Sequence, residues 1–149
     1  MAATFLNVDL EIETPEPLDR ACGGLLEAEA FKLYDGETKG GFLATFEVKD
    51  GLLNTDPNSI INTFCDIVAG FDERARRIWD RASRRTFDIG YETDDKDGSF
   101  HSELKNDVLA RVAELSADVR LTLYPRPPEH QTNREQGDAG QRGSRSDSE

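Results

Sequence analysis

The sequence predicts an α+β domain. We expect a two-layer sandwich, in which a largely antiparallel sheet of about six strands carries about four helices mainly on one face, followed by a disordered tail. Three observations support this fold class. Segments that alternate apolar and polar residues are interleaved with segments of helical periodicity. Several strand segments are separated only by turn residues, which favours hairpins. The length of 149 residues suits one domain.

The first element is a predicted strand from Phe5 to Glu13, because apolar and polar residues alternate strictly along it. Its apolar face, which we expect to line the core, consists of Leu6, Val8, Leu10 and Ile12. After two prolines, apolar residues at helical spacing from Leu18 to Leu26 predict a helix packed on the sheet. Two further strand segments, Ala30 to Tyr34 and Phe42 to Lys49, are joined by Asp-Gly and Gly-Gly turn residues and predict a hairpin.

Two helices are predicted after the hairpin. Asp56 followed by Pro57 marks a helix start, apolar residues at helical spacing follow, and Gly70 is expected to end the helix. Asp72 is expected to cap another helix. We extend this helix through Arg85, because a narrow apolar arc continues along it.

The rest of the domain is predicted from alternation and one further helix. Thr86 to Thr93 and Ser99 to Leu104 flank a polar loop and predict a second hairpin. Helical spacing predicts a last helix from about Asn106 to Ser116, and Val119 to Tyr124 predicts a last strand. The residues expected to face the core are Val108, Leu109, Val112 and Leu115 of the helix and Val119, Leu121 and Leu123 of the strand. The predicted element order is βαββααββαβ.

Charge and composition divide the chain into a folded domain, residues 1–125, and a disordered tail, residues 126–149. From Arg126 onward Ala139 is the one residue with an apolar aliphatic or aromatic side chain other than proline. The tail therefore cannot bury enough apolar surface to offset its ordering entropy. The tail holds four arginines and five acidic residues, whereas the whole chain carries a net charge of −12. The acidity therefore belongs to the domain, which carries −11.

Several classes of function are disfavoured by what the sequence lacks. No segment approaches the roughly 20 consecutive apolar residues of a membrane span, and residues 1–10 do not resemble a secretory signal, so we expect a cytoplasmic protein. Cys22 and Cys65 share no CxxC spacing and lie on apolar helix stripes, which predicts reduced, buried thiols. His101 and His130 fit neither a catalytic triad nor a zinc site. We therefore predict no metal, no cofactor and no catalytic residue.

Four segments of the chain resemble parts of known proteins. They are Phe87–Tyr91, Ser99–Leu104, Val108–Leu115 and Val119–Pro125. In these segments and in its element order, the chain resembles a group of small bacterial α+β proteins, some of which look like immunity proteins that neutralise toxins. The resemblance implies an α+β fold and a toxin-neutralising role, and it identifies no catalytic residue.

The outward face of the predicted sheet is the first candidate for function. Its six acidic side chains are Asp9, Glu11, Glu13, Glu47, Asp88 and Glu92. Such a face attracts and orients a basic protein through long-range electrostatics. A solvated sheet face without function explains the same pattern, because half-exposed antiparallel sheets are polar outside. A carboxylate pair for acid–base or cation chemistry is a third interpretation.

Six arginines within the twelve positions 74–85 are the second candidate. Five of them share an arc of roughly 100° on the predicted helix and would form a basic ridge: Arg74, Arg77, Arg81, Arg84 and Arg85. Guanidinium groups bind phosphates or an acidic partner through paired hydrogen bonds. Nucleic acid is an unlikely partner, because the domain is acidic and lacks exposed aromatic residues interleaved with the arginines. Pairing of the arginines with the chain's own carboxylates is the structural alternative.

Together these features predict a non-catalytic protein-binding module whose acidic sheet face holds a basic protein partner. An immunity or antitoxin role is the most specific form of this hypothesis. One alternative is binding of nucleic acid or an acidic partner through the arginines of residues 74–85, which predicts salt-sensitive binding. The other is a small carboxylate-dependent enzyme, which predicts a deep pocket where carboxylates or His101 converge.

Overall fold

The structure, a computed structural model, describes residues 2–18, 20–49 and 56–127. Nine elements follow one another in this part of the chain: β1 (Ala2–Thr14), α1 (Arg20–Glu29), β2 (Ala30–Thr38), β3 (Gly41–Val48), α2 (Pro57–Ala69), α3 (Glu73–Arg81), β4 (Arg84–Asp94), α4 (Asn106–Glu114) and β5 (Asp118–Pro125). The predicted α+β class is confirmed. The described chain forms five strands, however, and not six.

The strands form one mixed sheet in the order β2-β3-β1-β4-β5. The long β1 lies at its centre and pairs antiparallel with β3 and with β4. β2 and β3 form the predicted hairpin. β4 and β5 are parallel, and α4 lies in the crossover between them. The sheet is therefore largely antiparallel, with one parallel pair at the β5 edge.

The core lies between one face of the sheet and the helices. Val8, Leu10 and Ile12 of β1 are almost fully buried, and the helices contribute Phe64 and Trp79 to the same cluster. The Trp79 indole also donates a hydrogen bond of 3.2 Å to a backbone carbonyl at the end of α4. The helices thus cover one face of the sheet, as predicted, and leave the opposite face, which we call the outer face, to solvent.

The starts of α2 and α3 were predicted correctly because local capping decides them. The Asp56 carboxylate accepts the backbone N–H of Asn58 at 3.0 Å, Pro57 occupies the first turn, and Gly70 caps the end of α2. The Asp72 carboxylate accepts a backbone N–H of α3 at 2.8 Å.

The prediction of a sixth strand at Ser99–Leu104 was wrong. This segment has no strand pairing in the described chain. Both edges of β4 are already hydrogen-bonded, one to β1 and the other to β5, so a hairpin partner has no edge to join. The segment packs on the sheet instead, where the Phe100 ring meets Tyr91 edge-on at 4.8 Å between centroids.

The prediction that α3 continues through Arg85 was also wrong. The helix ends at Arg81, because Ala82 adopts an extended ψ of 137°. The backbone N–H of Ser83 then bonds the carbonyl of Glu13 at 2.8 Å, and β4 starts at Arg84. Strand pairing therefore determines the structure of Arg84 and Arg85, although the spacing of apolar residues favoured a helix there.

Four leucines predicted to face the core are exposed: Leu6, Leu109, Leu121 and Leu123. Leu6 lies at a register irregularity of β1, which turns its side chain out of the alternation. Leu121 and Leu123 lie on the edge strand β5, where the helices leave them uncovered, and Leu109 lies on an exposed face of α4. Next to the predicted domain boundary, Arg126 donates its backbone N–H to the carbonyl of Thr93 in β4 at 2.9 Å. The rest of the predicted tail beyond residue 127 lies outside the described residues.

Candidate functional site

All six acidic residues of the predicted site lie on the outer face, and each is partly exposed. They come from three adjacent strands: Asp9, Glu11 and Glu13 from β1, Glu47 from β3, and Asp88 and Glu92 from β4. The alternation of β1 explains their direction, because the intervening apolar side chains enter the core.

Strand register brings four of these carboxylates together. Asp9 lies directly opposite Glu47 on one side and Asp88 on the other, and Glu11 is the next residue on the same face of β1. Directly opposite side chains have Cβ atoms about 5 Å apart. We call Asp9, Glu11, Glu47 and Asp88 the acidic cluster. The sequence could not predict this grouping, because it depends on which strands are neighbours.

One guanidinium group neutralises part of the acidic cluster. Arg120 of β5 forms ion pairs with Glu11 and with Asp88, the latter at 3.0 Å. Thr122 donates a further hydrogen bond of 2.6 Å to Asp88. Hydrogen bonds to Glu11 and Asp88 raise the pKa of Arg120 despite its partial burial. Arg120 therefore holds two of the four carboxylates in place.

Asp9 is the most perturbed carboxyl group of the acidic cluster. Partial burial, followed by repulsion from Glu47, Asp88 and Glu11, raises its pKa from 3.8 to about 6. The side-chain amide of Asn7 donates a hydrogen bond of 3.1 Å to the Asp9 carboxylate. Within the described residues, neither Asp9 nor Glu47 forms an ion pair. At neutral pH these two carboxylates therefore leave excess negative charge at the centre of the outer face.

Aromatic side chains flank the acidic cluster. Phe31 and Tyr34 belong to the edge strand β2, and both are about half exposed. Phe31 lies directly opposite Glu47 of β3, and Tyr34 lies opposite another residue of β3. At the other edge, the half-exposed ring of Tyr124 lies over Gly90. Sequence reasoning missed Phe31 as an outer-face residue, although the alternation from Ala30, which is buried, carries that signal.

The predicted basic ridge does not form one continuous surface, because its residues divide between α3 and β4. Arg84 pairs with Asp118 at 3.2 Å. Arg85 donates hydrogen bonds to the backbone carbonyls of Trp79 and Ser116 at 2.6 and 3.1 Å. Arg84 therefore links β4 to the start of β5, and Arg85 links β4 to α3 and to the chain just after α4.

The remaining arginines of the predicted ridge lie on α3. Arg77 forms an ion pair with Glu73 one turn earlier, at 3.3 Å. Arg81 borders a surface cavity of about 460 Å³ beside Glu16, and Arg74 lies in the first turn. The structure thus favours the interpretation in which several of the arginines bind the chain's own carboxylates and carbonyls.

Other candidate groups lie apart from the acidic cluster. His101 borders a cavity of about 430 Å³ together with Phe5 and Tyr91, on the helix side of the sheet, so it does not converge with the outer-face carboxylates. Cys65 is buried, as predicted, and burial raises the pKa of its thiol. The side chain of Cys22 lies outside the described residues. Among the residues described, no three His, Cys, Asp or Glu side chains are arranged to hold a metal ion.

Comparisons of the chain with protein-family models, with curated proteins and with solved structures found no match. The resemblance to immunity-type proteins therefore stays a prediction. None of the described helices is both long enough and apolar enough to cross a membrane. The outer face and its charges are therefore the main evidence on function.

Proposed function

We propose that the protein is a non-catalytic binding module whose outer face holds a basic protein partner. The observation that carries the proposal is the unequal balance of charge in the acidic cluster, where Arg120 forms ion pairs with Glu11 and Asp88 and, within the described residues, no cation pairs with Asp9 or Glu47. A partner that places an arginine or lysine beside Asp9 and Glu47 would supply the missing positive charge. Partly buried charge pairs of this kind contribute to both the rate and the specificity of association.

The shape and composition of the outer face also support a protein partner. A sheet face is broad and open, which suits a protein surface better than a small substrate. The half-exposed rings of Phe31, Tyr34 and Tyr124 flank the acidic cluster, and aromatic side chains are enriched in protein interfaces. The partner would therefore combine basic residues at the centre of its contact surface with apolar residues around them.

The first test compares two double variants with equal change in net charge. Asp9→Asn with Glu47→Gln removes the two carboxylates of the cluster that form no ion pair in the described part of the chain, and it leaves the Arg120 ion pairs intact. Asp95→Asn with Asp97→Asn removes two charges from the exposed loop after β4 and serves as the control. Each protein is immobilised, and basic proteins captured from lysate of the source cells are quantified by mass spectrometry.

We expect the cluster variant to retain at least about tenfold less of a basic partner than the parent, and the loop control to retain the same amount as the parent. Equal retention by all three proteins would refute the proposal. If both variants lose the partner to the same extent, net charge alone explains the binding, and a specific site at the acidic cluster is refuted. The immunity-type form of the proposal adds one requirement: the captured protein is toxic when expressed alone, and co-expression of the parent relieves the toxicity.

A further inference from the structure

The β5 edge of the sheet carries an exposed apolar surface that the acidic cluster does not use. Leu121 and Leu123 are 63% and 53% exposed, and both point to the helix side of the sheet. Leu109 of α4 is 44% exposed. Arg111 contacts α2, and Leu109 lies about 160° around the helix from it, so Leu109 points away from α2. We call these three exposed leucines the edge strip.

Within the described residues, no strand pairs with the side of β5 that faces away from β4. Arg126 donates its N–H to Thr93 of β4. Because alternate residues of a parallel strand bond to the same neighbour, Val119, Leu121 and Leu123 direct their N–H and C=O groups away from β4. The helix-side face of β5 has no charged side chain, although natural edge strands are usually protected by charge, a bulge or a cover.

The opposite edge of the sheet shows such protection. β2 has a register irregularity between Lys32 and Tyr34. Lys32 itself forms ion pairs with Glu27 and Asp35, at 2.8 and 3.2 Å. A further strand would pair poorly with this edge. The contrast between the two edges makes β5 the edge that is available for pairing.

We propose that two copies of the chain associate through β5, antiparallel about a two-fold axis that passes through Leu121. In this register Leu121 pairs with Leu121 of the second copy, and Val119 pairs with Leu123. Every N–H and C=O that these three residues direct to the edge then finds a partner. The two edge strips meet across the seam, and the two sheets join into one continuous sheet.

The alternative registers are less favourable for reasons that the β5 sequence supplies. A two-fold axis through Arg120 would place two arginines directly opposite each other, and like charges in that position are destabilising. An axis through Thr122 would set Val119 against Pro125, which has no N–H to donate. The Leu121 register avoids both penalties, and it sets Arg120 opposite Thr122 and Asp118 opposite Tyr124. This complementarity of β5 with itself identifies a second copy as the occupant.

The dimer should be weak, because a single strand pair and three leucines per copy bury less than the roughly 800 Å² per partner of a standard interface. Sedimentation velocity is therefore measured from about 1 to about 200 μM, a range that covers micromolar affinities. The parent is expected to shift from one chain to two across this range. Leu121→Lys is expected to raise the dissociation constant at least about tenfold, by placing two ammonium groups opposite each other.

Leu33→Lys is the matched control, because Leu33 is 51% exposed on the opposite edge strand. It should leave the dimer unchanged, as should Asp9→Asn with Glu47→Gln, so failure of the dimer and failure of the acidic-cluster proposal are distinguishable. A parent that stays monomeric throughout, or a dimer that Leu33→Lys disrupts and Leu121→Lys does not, would overturn the inference.

Cross-linking tests the register. In the proposed dimer the two Leu121 Cα atoms are about 5.5 Å apart, within the range of a disulfide. The two Leu123 residues are offset by four positions along the strands, about 13 Å. Under mild oxidation Leu121→Cys should therefore form a disulfide-linked dimer, whereas Leu123→Cys and the parent should not. Cross-linking of Leu123→Cys in place of Leu121→Cys would contradict the register.

Discussion

Replacement of Asp9 by asparagine should stabilise the protein at neutral pH. Asp9 carries a carboxylate whose pKa is raised from 3.8 to about 6 by partial burial and by the surrounding carboxylates. The variant removes this charge at nearly constant shape, and its side-chain oxygen can still accept the hydrogen bond that Asn7 donates.

The magnitude follows from the two pKa values. Each pKa unit corresponds to about 1.36 kcal/mol, so the raised pKa of Asp9 would destabilise the ionised form by about 3 kcal/mol if the group were fully buried. Asp9 is only half-buried, and solvent screening reduces this figure to about 1–2 kcal/mol. We therefore expect Asp9→Asn to increase the free energy of unfolding by about 1–2 kcal/mol at pH 8.

The sign of the pH dependence provides a stricter test. Between about pH 4 and pH 6 the folded parent binds more protons at Asp9 than the unfolded parent does, so this group makes stability fall as pH rises through the window. Below about pH 3 Asp9 is protonated in both states. The advantage of Asp9→Asn should thus be present at pH 8 and much smaller near pH 4.

Urea unfolding at both pH values, followed by the fluorescence of the buried Trp79, measures this difference. Glu13→Gln is the matched control: it removes a carboxylate from the same face of β1, but Glu13 lies opposite Arg84 and Leu43 and not between acids. Its effect should stay below about 0.5 kcal/mol. If the Asp9→Asn variant is no more stable than the parent at pH 8, repulsion between Asp9 and its neighbouring carboxylates does not destabilise the fold, and the prediction is refuted.

Three further substitutions and one control test the contacts that hold the acidic cluster and the core. Arg120→Ala should lower the free energy of unfolding by about 1–3 kcal/mol in urea, since two carboxylates lose their shared cation; Arg77→Ala, which breaks an exposed pair on α3, should change it by less than about 0.5 kcal/mol. Trp79→Phe should cost about 1–3 kcal/mol in thermal unfolding followed by circular dichroism, because the backbone carbonyl at the end of α4 loses its indole donor. Asn58→Ala should cost about 2–3 kcal/mol and accelerate hydrogen exchange at the Lys105 amide, which donates to the Asn58 side chain at 2.8 Å.

Local patterns were sufficient to predict most elements and the direction of the acidic side chains. Capping residues such as Asp56 and Asp72 act within one turn, so a sequence window contains the whole cause. The alternation of β1 likewise fixes which side chains face outward, once the neighbouring side chains are apolar. At Arg84 and Arg85 a helix competes with strand pairing. The strand forms there because the carbonyl of Glu13, which is distant in sequence, accepts a hydrogen bond from the backbone just before Arg84.

The properties that matter most for function depend on strand order, which no local window contains. Asp9 becomes the centre of the acidic cluster only because β3 and β4 flank β1. Leu121 becomes exposed because β5 is an edge strand that the helices cover only in part. Alternation predicted the direction of both side chains, but burial and pKa follow from the neighbours that the fold supplies.

The raised pKa of Asp9 also predicts how binding of a basic partner depends on pH. A cation beside Asp9 favours the ionised carboxylate, so binding below about pH 6 requires release of the proton that Asp9 carries in the free protein. Affinity for an oligo-arginine peptide, whose guanidinium groups stay charged throughout, should therefore fall about tenfold from pH 7 to pH 5. Calorimetry in buffers of different ionisation enthalpy should detect close to one proton released per binding event at pH 5.

Asp9→Asn separates this linkage from general titration of the acidic surface. The variant should bind the peptide more weakly than the parent at pH 7, and its affinity should change much less between pH 7 and pH 5. Because the same substitution is expected to stabilise the fold at neutral pH, weaker binding by the variant cannot be attributed to unfolding. A stable variant that binds as well as the parent, with the same pH dependence, would show that the charge at Asp9 is a cost to the fold without a role in recognition.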